Sequence, residues 1–326
     1  MTDTGGPMAE PVWIGVDVGG TKVLAGVVSD EGTVVRTARA ATPGRRVDAS
    51  LIEDALTDAV HAVAGDSPIA GVGLAAAGFV EATGERVMFA PHLPWQDEPV
   101  RARLAERWNV PVALENDATC AAVAEWEYGA ARGAGSAVVV TLGTGIGGGL
   151  VLDGHVVRGA NGMAGEFGHM QVVPDGQQCE CGGRGCWEQY SSGNALVRYA
   201  RERLGHEPTM LEEACGGHPE QLTGPMVTDA AAAGDLLARA AFATVGSWLG
   251  VGVANLVAAF DPDCVVIGGG VSAAGDRLLD PARVALERSL VGAAHRVVPP
   301  VLAAHLGPRA GLVGAAVLVR ESQLRR

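Results

Sequence analysis

Cys179, Cys181 and Cys186 fall within eight residues of one another, and His169 lies ten residues upstream. Three thiolates and an imidazole are the donor set of a closed tetrahedral zinc site. Gly182, Gly183 and Gly185 let the backbone turn tightly enough for the sulfurs to face one ion. The competing reading is a disulfide, or free thiols in a loop. Three cysteines leave one unpaired, and Cys179 and Cys181 sit too close along the chain to bridge comfortably. A Cys3His set fills all four positions, so the metal would be structural. Its work would be to fix a loop whose carboxylates, Glu166 and Glu188, bind something else.

A second kind of chemistry is written in glycine. Trp13–Val28 reads as strand, turn, strand, and the turn is Asp17-Val18-Gly19-Gly20-Thr21-Lys22. Such a turn brings backbone N–H groups close to a polyphosphate, with the Thr21 hydroxyl as a further donor. Asp17, at the strand end, is placed to hold Mg²⁺ directly or through water. Alone, the turn is equally an ordinary glycine hairpin. Ala137–Leu152 repeats the pattern around Gly143-Thr144-Gly145. The spacing resembles GxGxxG, but a strand follows where a dinucleotide fold needs a helix. The echo suggests two related halves, each offering a phosphate loop to a shared cleft. A third glycine turn, Gly268-Gly269-Gly270, follows the strand Cys264–Ile267 and would face a base or ribose.

The elements that must position these groups alternate between strand and helix. Glu53–Ala64 has helical spacing with Leu51, Ala55, Ala59 and Val63 on one face. Ile69–Ala77 reads as a buried strand ending at Gly78, Arg101–Trp108 as a short amphipathic helix, and Pro111–Leu114 as a strand. That strand delivers Asn116 and Asp117 to the start of a helix over Ala118–Tyr128, where α/β sheets place their chemistry. Asp117 also fits a helix N-cap, the reading favoured without further context. Ala240–Phe260 carries no charge and is long enough to span a bilayer. Its Thr244, Ser247, Asn255 and glycines favour a buried helix, with Gly246, Gly250 and Ala254 packing closely within the domain or against another subunit.

The 326 residues suggest about two domains. With 24 basic against 37 acidic side chains the net charge is −13, which disfavours nucleic acid as a partner. The first ten residues read as a loose tail with no secretory leader, and the thiols point to a reducing cytoplasm. No membrane partner is expected. Cys120, Cys215 and Cys264 read as small buried apolar residues, and His206, His218 and His295 as solvated.

Taken together, DVGGTK, ENDA, TLGTGIGGG, EFGH and CECGGRGCWE, in that order, resemble the ROK family of sugar kinases and repressors. The resemblance runs from about Val12 to the last helix. It implies an α/β, two-domain, actin-like or hexokinase-like ATPase fold with a cleft between domains and a zinc-stabilised loop. The small domain would be 11–118, completed by helix 310–324, and the large domain 119–309. It further implies an ATP-dependent glucokinase making glucose 6-phosphate, with Mg²⁺ and structural Zn²⁺, as a cytoplasmic homodimer or homotetramer. By the same resemblance Asp117 is the catalytic base, with Asn116, Glu166, His169 and Glu188 as sugar ligands and Gly78 beside the ring. His169, Cys179, Cys181 and Cys186 hold zinc. Gly19, Gly20, Thr21, Thr144 and Gly145 match the family's ATP phosphate loops; the turns themselves add Asp17, Lys22, Gly269 and Gly270 on the nucleotide side.

Two positions depart from the family pattern: His92 stands where its glucokinases often carry Asn, and GLAAAG over 73–78 lacks a frequent Pro. Two alternatives stay open. One is a kinase for mannose, N-acetylglucosamine or N-acetylmannosamine, or one using polyphosphate. The other is a sugar-responsive repressor, disfavoured by the short segment before the first strand and by the retained Asp117.

Overall fold

A computed structural model describes residues 10–324. Except for Glu10, the tail expected over residues 1–10 lies outside them. The chain divides into two units, residues up to Arg132 with 156–164 and 308–324 in the first, and 133–155 with 165–307 in the second.

In the first unit, β1 (Val12–Val18) and β2 (Lys22–Val28) form a hairpin around the first glycine turn, and β3 (Val34–Ala41) extends it. Helix α1 (Ala49–Ala64) carries the chain to β4 (Ile69–Ala76), parallel to β1. The short strands β5 (Phe79–Val80), β6 (Val87–Phe89) and β7 (Gln96–Glu98) make a small separate sheet. Helix α2 (Val100–Trp108) then leads to β8 (Val112–Asn116), and the main sheet runs β3-β2-β1-β4-β8. The buried face of α1 is Ile52, Leu56, Ala59, Val60 and Val63, whereas Leu51 is 47% exposed. The expected stripe through Leu51 and Ala55 is therefore rotated. The branched side chains set the core face, and small alanines follow them.

Helix α3 (Asp117–Glu127) packs on α9 (Ala310–Leu324), and α9 lies directly on β1 and β4. Gly15 and Gly73, paired across those strands, make this approach possible. A Cβ at either would stand 1.9 Å from Leu312 O or 1.8 Å from Ala315 O, inside atomic contact.

The second unit repeats the plan. β9 (Ala137–Leu142) and β10 (Ile146–Leu152) form a hairpin around the second glycine turn, with β11 (His155–Val156) beside them. Helices α4 (Gly193–Arg203), α5 (Leu211–Ala214), α6 (Gly224–Ala233) and α7 (Leu236–Phe260) precede β12 (Cys264–Gly268). Helix α8 (Asp276–Ser289) and β13 (Val301–Ala303) complete the order β11-β10-β9-β12-β13. Position by position this matches β3-β2-β1-β4-β8, with antiparallel hairpins on one side and parallel strands on the other. Among the described residues α7 is the helix long and apolar enough to cross a membrane, and most of it is buried. Its small-residue face meets α8: Cβ atoms at Gly246 and Gly250 would reach Leu278 O at 2.5 Å and Ala282 O at 2.2 Å. That stripe is thus spent inside the unit.

Candidate active site

The turn that carries Asn116 and Asp117 is built where β8 passes into α3. Asn116, not Asp117, is the N-cap: its Oδ1 accepts from Thr119 N–H at 3.0 Å. The expectation of a capping Asp117 is overturned, because Asp117 is the first residue of the helix itself. Its Oδ1 accepts from Ala118 N–H at 2.9 Å and from Asn116 Nδ2 at 3.2 Å. Asn116 Nδ2 also donates to Gly78 O at 3.1 Å, which ties Gly78 to the same turn. Behind them, buried Glu115 accepts from Asn116 N–H at 3.0 Å and from Arg158 Nε at 2.5 Å. Sequence reading missed this carboxylate; its place directly before Asn116 in a buried strand was the available signal.

Asp17 ends β1 close by. The Cβ position of Gly311, in the first turn of α9, lies 3.8 Å from Asp17 Cγ and 3.7 Å from Asp117 O. Burial, then the neighbouring Asp117 charge, push the Asp17 carboxyl up to about 6 against a partial lowering by Lys22. The Asp117 carboxyl, partly buried in its turn, is likewise pushed up by burial, against a lowering by the hydrogen bonds it accepts. Two neighbouring acids at a helix start, with one cation beside them, are groups that could hold a divalent metal and accept a proton.

The first phosphate turn closes on itself, Gly19 N–H donating to Lys22 O at 3.0 Å and Thr42 Oγ1 to Gly19 O at 2.7 Å. Thr21 and Lys22 are exposed at its tip. His92 packs against this turn: a Cβ on Gly20 would stand 2.6 Å from His92 Cβ. The departure from the family pattern therefore borders the phosphate loop.

In the second unit Glu166 precedes a single helical turn, Phe167–His169, which ends on His169, and Glu188 lies in another, Trp187–Gln189. His169 Nδ1 is 3.7 Å from Cys179 Sγ, and Cys181 and Cys186 Sγ are 3.6 Å apart. All four donor atoms lie within 4.8 Å of one another. Bonds of roughly 2.0–2.3 Å in a tetrahedron put ligand atoms about 3.3–3.8 Å apart, so two edges already fit zinc and the set needs little contraction. Burial pushes the Cys179 thiol up to about 12 and raises Cys186, while Gly183 N–H lowers Cys181. A divalent cation would displace those protons.

The loop is held by Trp187, which is fully buried, donates from Nε1 to Trp248 O at 2.8 Å and lies over Gly252 of α7. His169 Nε2 faces Glu166 at 3.9 Å, while Nδ1 lies 3.7 Å from both Cys179 Sγ and Glu188 Oε1, so the imidazole bridges the sulfur cluster and two carboxylates. Glu188 spans two features: Oε1 lies 3.1 Å from Cys179 Sγ, and Oε2 is 3.5 Å from Ile146 N–H. A Cβ at Gly145 would meet that oxygen at 2.4 Å. The cysteine–histidine cluster and the second glycine turn are therefore neighbours.

Thr144 opens onto a cavity of about 530 Å³ lined by Asn194, Pro225, Thr228, Asp229 and Gly270. A cavity of this size takes a small molecule. Gly269 (φ +84°) presses on Leu142, and a side chain there would strike backbone at 2.3 Å. Asn194, Thr228 and Asp229 were not legible in the sequence, since they sit on helices whose polar residues look like ordinary solvated faces.

Comparison with known proteins matches residues 13–322 to the ROK family. The chain is 44% identical over 311 residues to a glucokinase of Streptomyces coelicolor, covering 94% of this chain and 97% of that one. The crystal structure of a ROK family glucokinase from Streptomyces griseus in complex with glucose and AMPPNP superposes with a TM-score of 0.86 at 43% identity, covering 95% and 99% of the two chains. A ROK hexokinase from Thermus thermophilus gives 0.77 at 33% identity, covering 97% and 100%.

Proposed function

This chain belongs to the ROK family, and from that premise we propose that it is an ATP-dependent glucokinase, transferring the γ-phosphoryl group of ATP to the 6-hydroxyl of glucose. The observation that carries the chemistry is the enclosed Asp117 carboxylate, held by two hydrogen bonds at the start of α3.

Phosphoryl transfer asks a protein mainly to align its reactants and to stabilise charge. Asp117 accepts the proton of the 6-hydroxyl as that oxygen bonds to the γ-phosphorus and ADP departs. Its raised proton affinity suits it to this step at neutral pH. Asn116, Glu166, His169 and Glu188 pair with the remaining hydroxyls, each of which donates and accepts, and leaving such a group unpaired in a buried site costs about 1–3 kcal/mol. Gly78, fixed by Asn116, borders the ring.

Gly19, Gly20 and Thr21 in one unit and Thr144 and Gly145 in the other serve the phosphates, and the cavity beyond Thr144, reaching Gly270, serves the nucleoside. Gly269 seats that turn. Asp17, with Lys22 nearby, would hold Mg²⁺, whose charge offsets that of the phosphates. His169 and the three cysteines would hold zinc, which fixes the ring angle and tautomer that the sugar meets. The free thiols suit a reducing compartment, and we place the enzyme in the cytoplasm.

The test is Asp117→Asn in a coupled assay. Turnover should fall by about 10²–10⁴-fold while glucose affinity stays within a few-fold; near-normal turnover would remove Asp117 from this role. Running the wild type on glucose, mannose, N-acetylglucosamine and N-acetylmannosamine, with ATP and polyphosphate in turn, identifies the preferred pair.

A further inference from the structure

A cavity of about 590 Å³ opens in the first unit between β8, α2 and the end of α9, apart from the groups assigned to sugar and nucleotide. Its two carboxylates are already engaged. Glu85 accepts from Arg101 at 2.8 Å, while Glu115 accepts from Arg158 Nε at 2.5 Å and from Asn116 N–H at 3.0 Å.

Its donors are not. Arg158 is 34% exposed and keeps both Nη groups beyond its bond to Glu115. Along β8, Pro111 O accepts from Val72 N–H of the neighbouring strand, so the two-residue alternation turns both the N–H and the C=O groups of Val112 and Leu114 away from β4, and Leu114 O stands 2.8 Å from where a Cβ on Gly84 would lie. Ala105 and Leu318 supply apolar wall. With Glu85 and Glu115 engaged, the open charge in this cavity is the Arg158 guanidinium, whose two Nη groups are suited to phosphate or carboxylate.

We propose that this cavity binds a small anionic metabolite, a phosphate monoester or a carboxylate, through Arg158, and that its occupancy alters turnover. The route is short. Arg158 and the Asn116 N–H share the two oxygens of one buried carboxylate, and Asn116 holds Asp117. Drawing the guanidinium toward a ligand weakens its hold on Glu115 and loosens the turn that carries the proton acceptor. This site goes beyond the kinase reading, and ligand binding can be measured whether or not that reading stands.

The experiment is calorimetric titration of the full chain with glycerol 3-phosphate, inorganic phosphate and citrate, for wild type, Ala105→Trp and Arg158→Gln. Ala105→Trp puts an indole into the cavity from α2 and leaves both partners of the ion pair in the chain, so it tests the site even if Arg158→Gln folds poorly. At least one anion should bind the wild type with millimolar affinity or better and bind Ala105→Trp at least tenfold more weakly. The same anion should lower wild-type kcat at saturating glucose and ATP and leave that of Ala105→Trp unchanged, with basal kcat/KM alike in the two. Which anions bind decides between the phosphate and carboxylate classes. Absence of binding by all three, or equal affinity in wild type and Ala105→Trp, overturns the proposal.

Discussion

Replacing Asp17 with asparagine should stabilise the protein at neutral pH while removing most of its activity. The folded state holds the Asp17 proton up to about pH 6, against 3.8 for the ordinary carboxyl. Between those values the folded chain binds more protons than the unfolded one, so stability falls as pH climbs through that window. The difference of about 2.2 pH units, at ~1.36 kcal/mol each, comes to at most about 3 kcal/mol, since solvent reaches part of the side chain. Asparagine carries no such cost. The variant's advantage should therefore be near zero at pH 4 and complete above pH 6–7, where at most roughly 2–4 °C per kcal/mol caps the rise in Tm at about 6–12 °C. The assay is thermal unfolding of both proteins from pH 4 to 8 without nucleotide or Mg²⁺, with turnover measured in parallel. Loss of a metal-holding carboxylate should cost kcat on the order of a hundredfold. A stability difference that does not change with pH, or an Asp17→Asn protein less stable at pH 7, would refute the electrostatic reasoning.

Other changes separate the remaining parts. Cys186→Ser should abolish stoichiometric zinc by elemental analysis and raise the glucose KM at least tenfold; full zinc content with normal KM would uncouple the cluster from the sugar. Thr228→Trp should raise the KM for ATP tenfold or more while equilibrium dialysis finds glucose affinity unchanged, and the opposite pattern would move the nucleoside out of that cavity. Gly73→Ala should cost about 3 kcal/mol or more, because the new methyl meets the Ala315 backbone rather than a side chain able to turn aside. An unchanged unfolding midpoint for that variant would mean that α9 yields easily.

Much of this arrangement is readable from residue types because backbone demands leave marks. Glycines in the turns after β1 and β9 announced two copies of one hairpin, and the sheets do share an order. Three closely spaced cysteines announced a cluster, and their sulfurs converge with His169. What stayed hidden depends on distant partners. Nothing local distinguishes Asn116 from Asp117 as the cap, because both side chains accept from helix N–H groups and only the entry angle of β8 decides. The α1 face was placed one residue off because alanines mark a helix without saying which side is deepest. Glu115 looked like one more acidic residue, since its partner Arg158 lies 43 positions away. The cavity beyond Thr144 draws on α4, α6 and the turn after β12, segments that only the folded sheet brings together.

The seating of α9 on β1 and β4 has a consequence for how the polypeptide is made. The strands of the first unit leave the ribosome early, yet the helix that covers them is synthesised some 230 residues after β4. Until then the bare glycine-lined face of those strands has no cover, whereas the second unit is translated in full before α9 emerges. Biogenesis should therefore run out of chain order, with the later-made half maturing first and the earlier half waiting, exposed to aggregation, for its last helix.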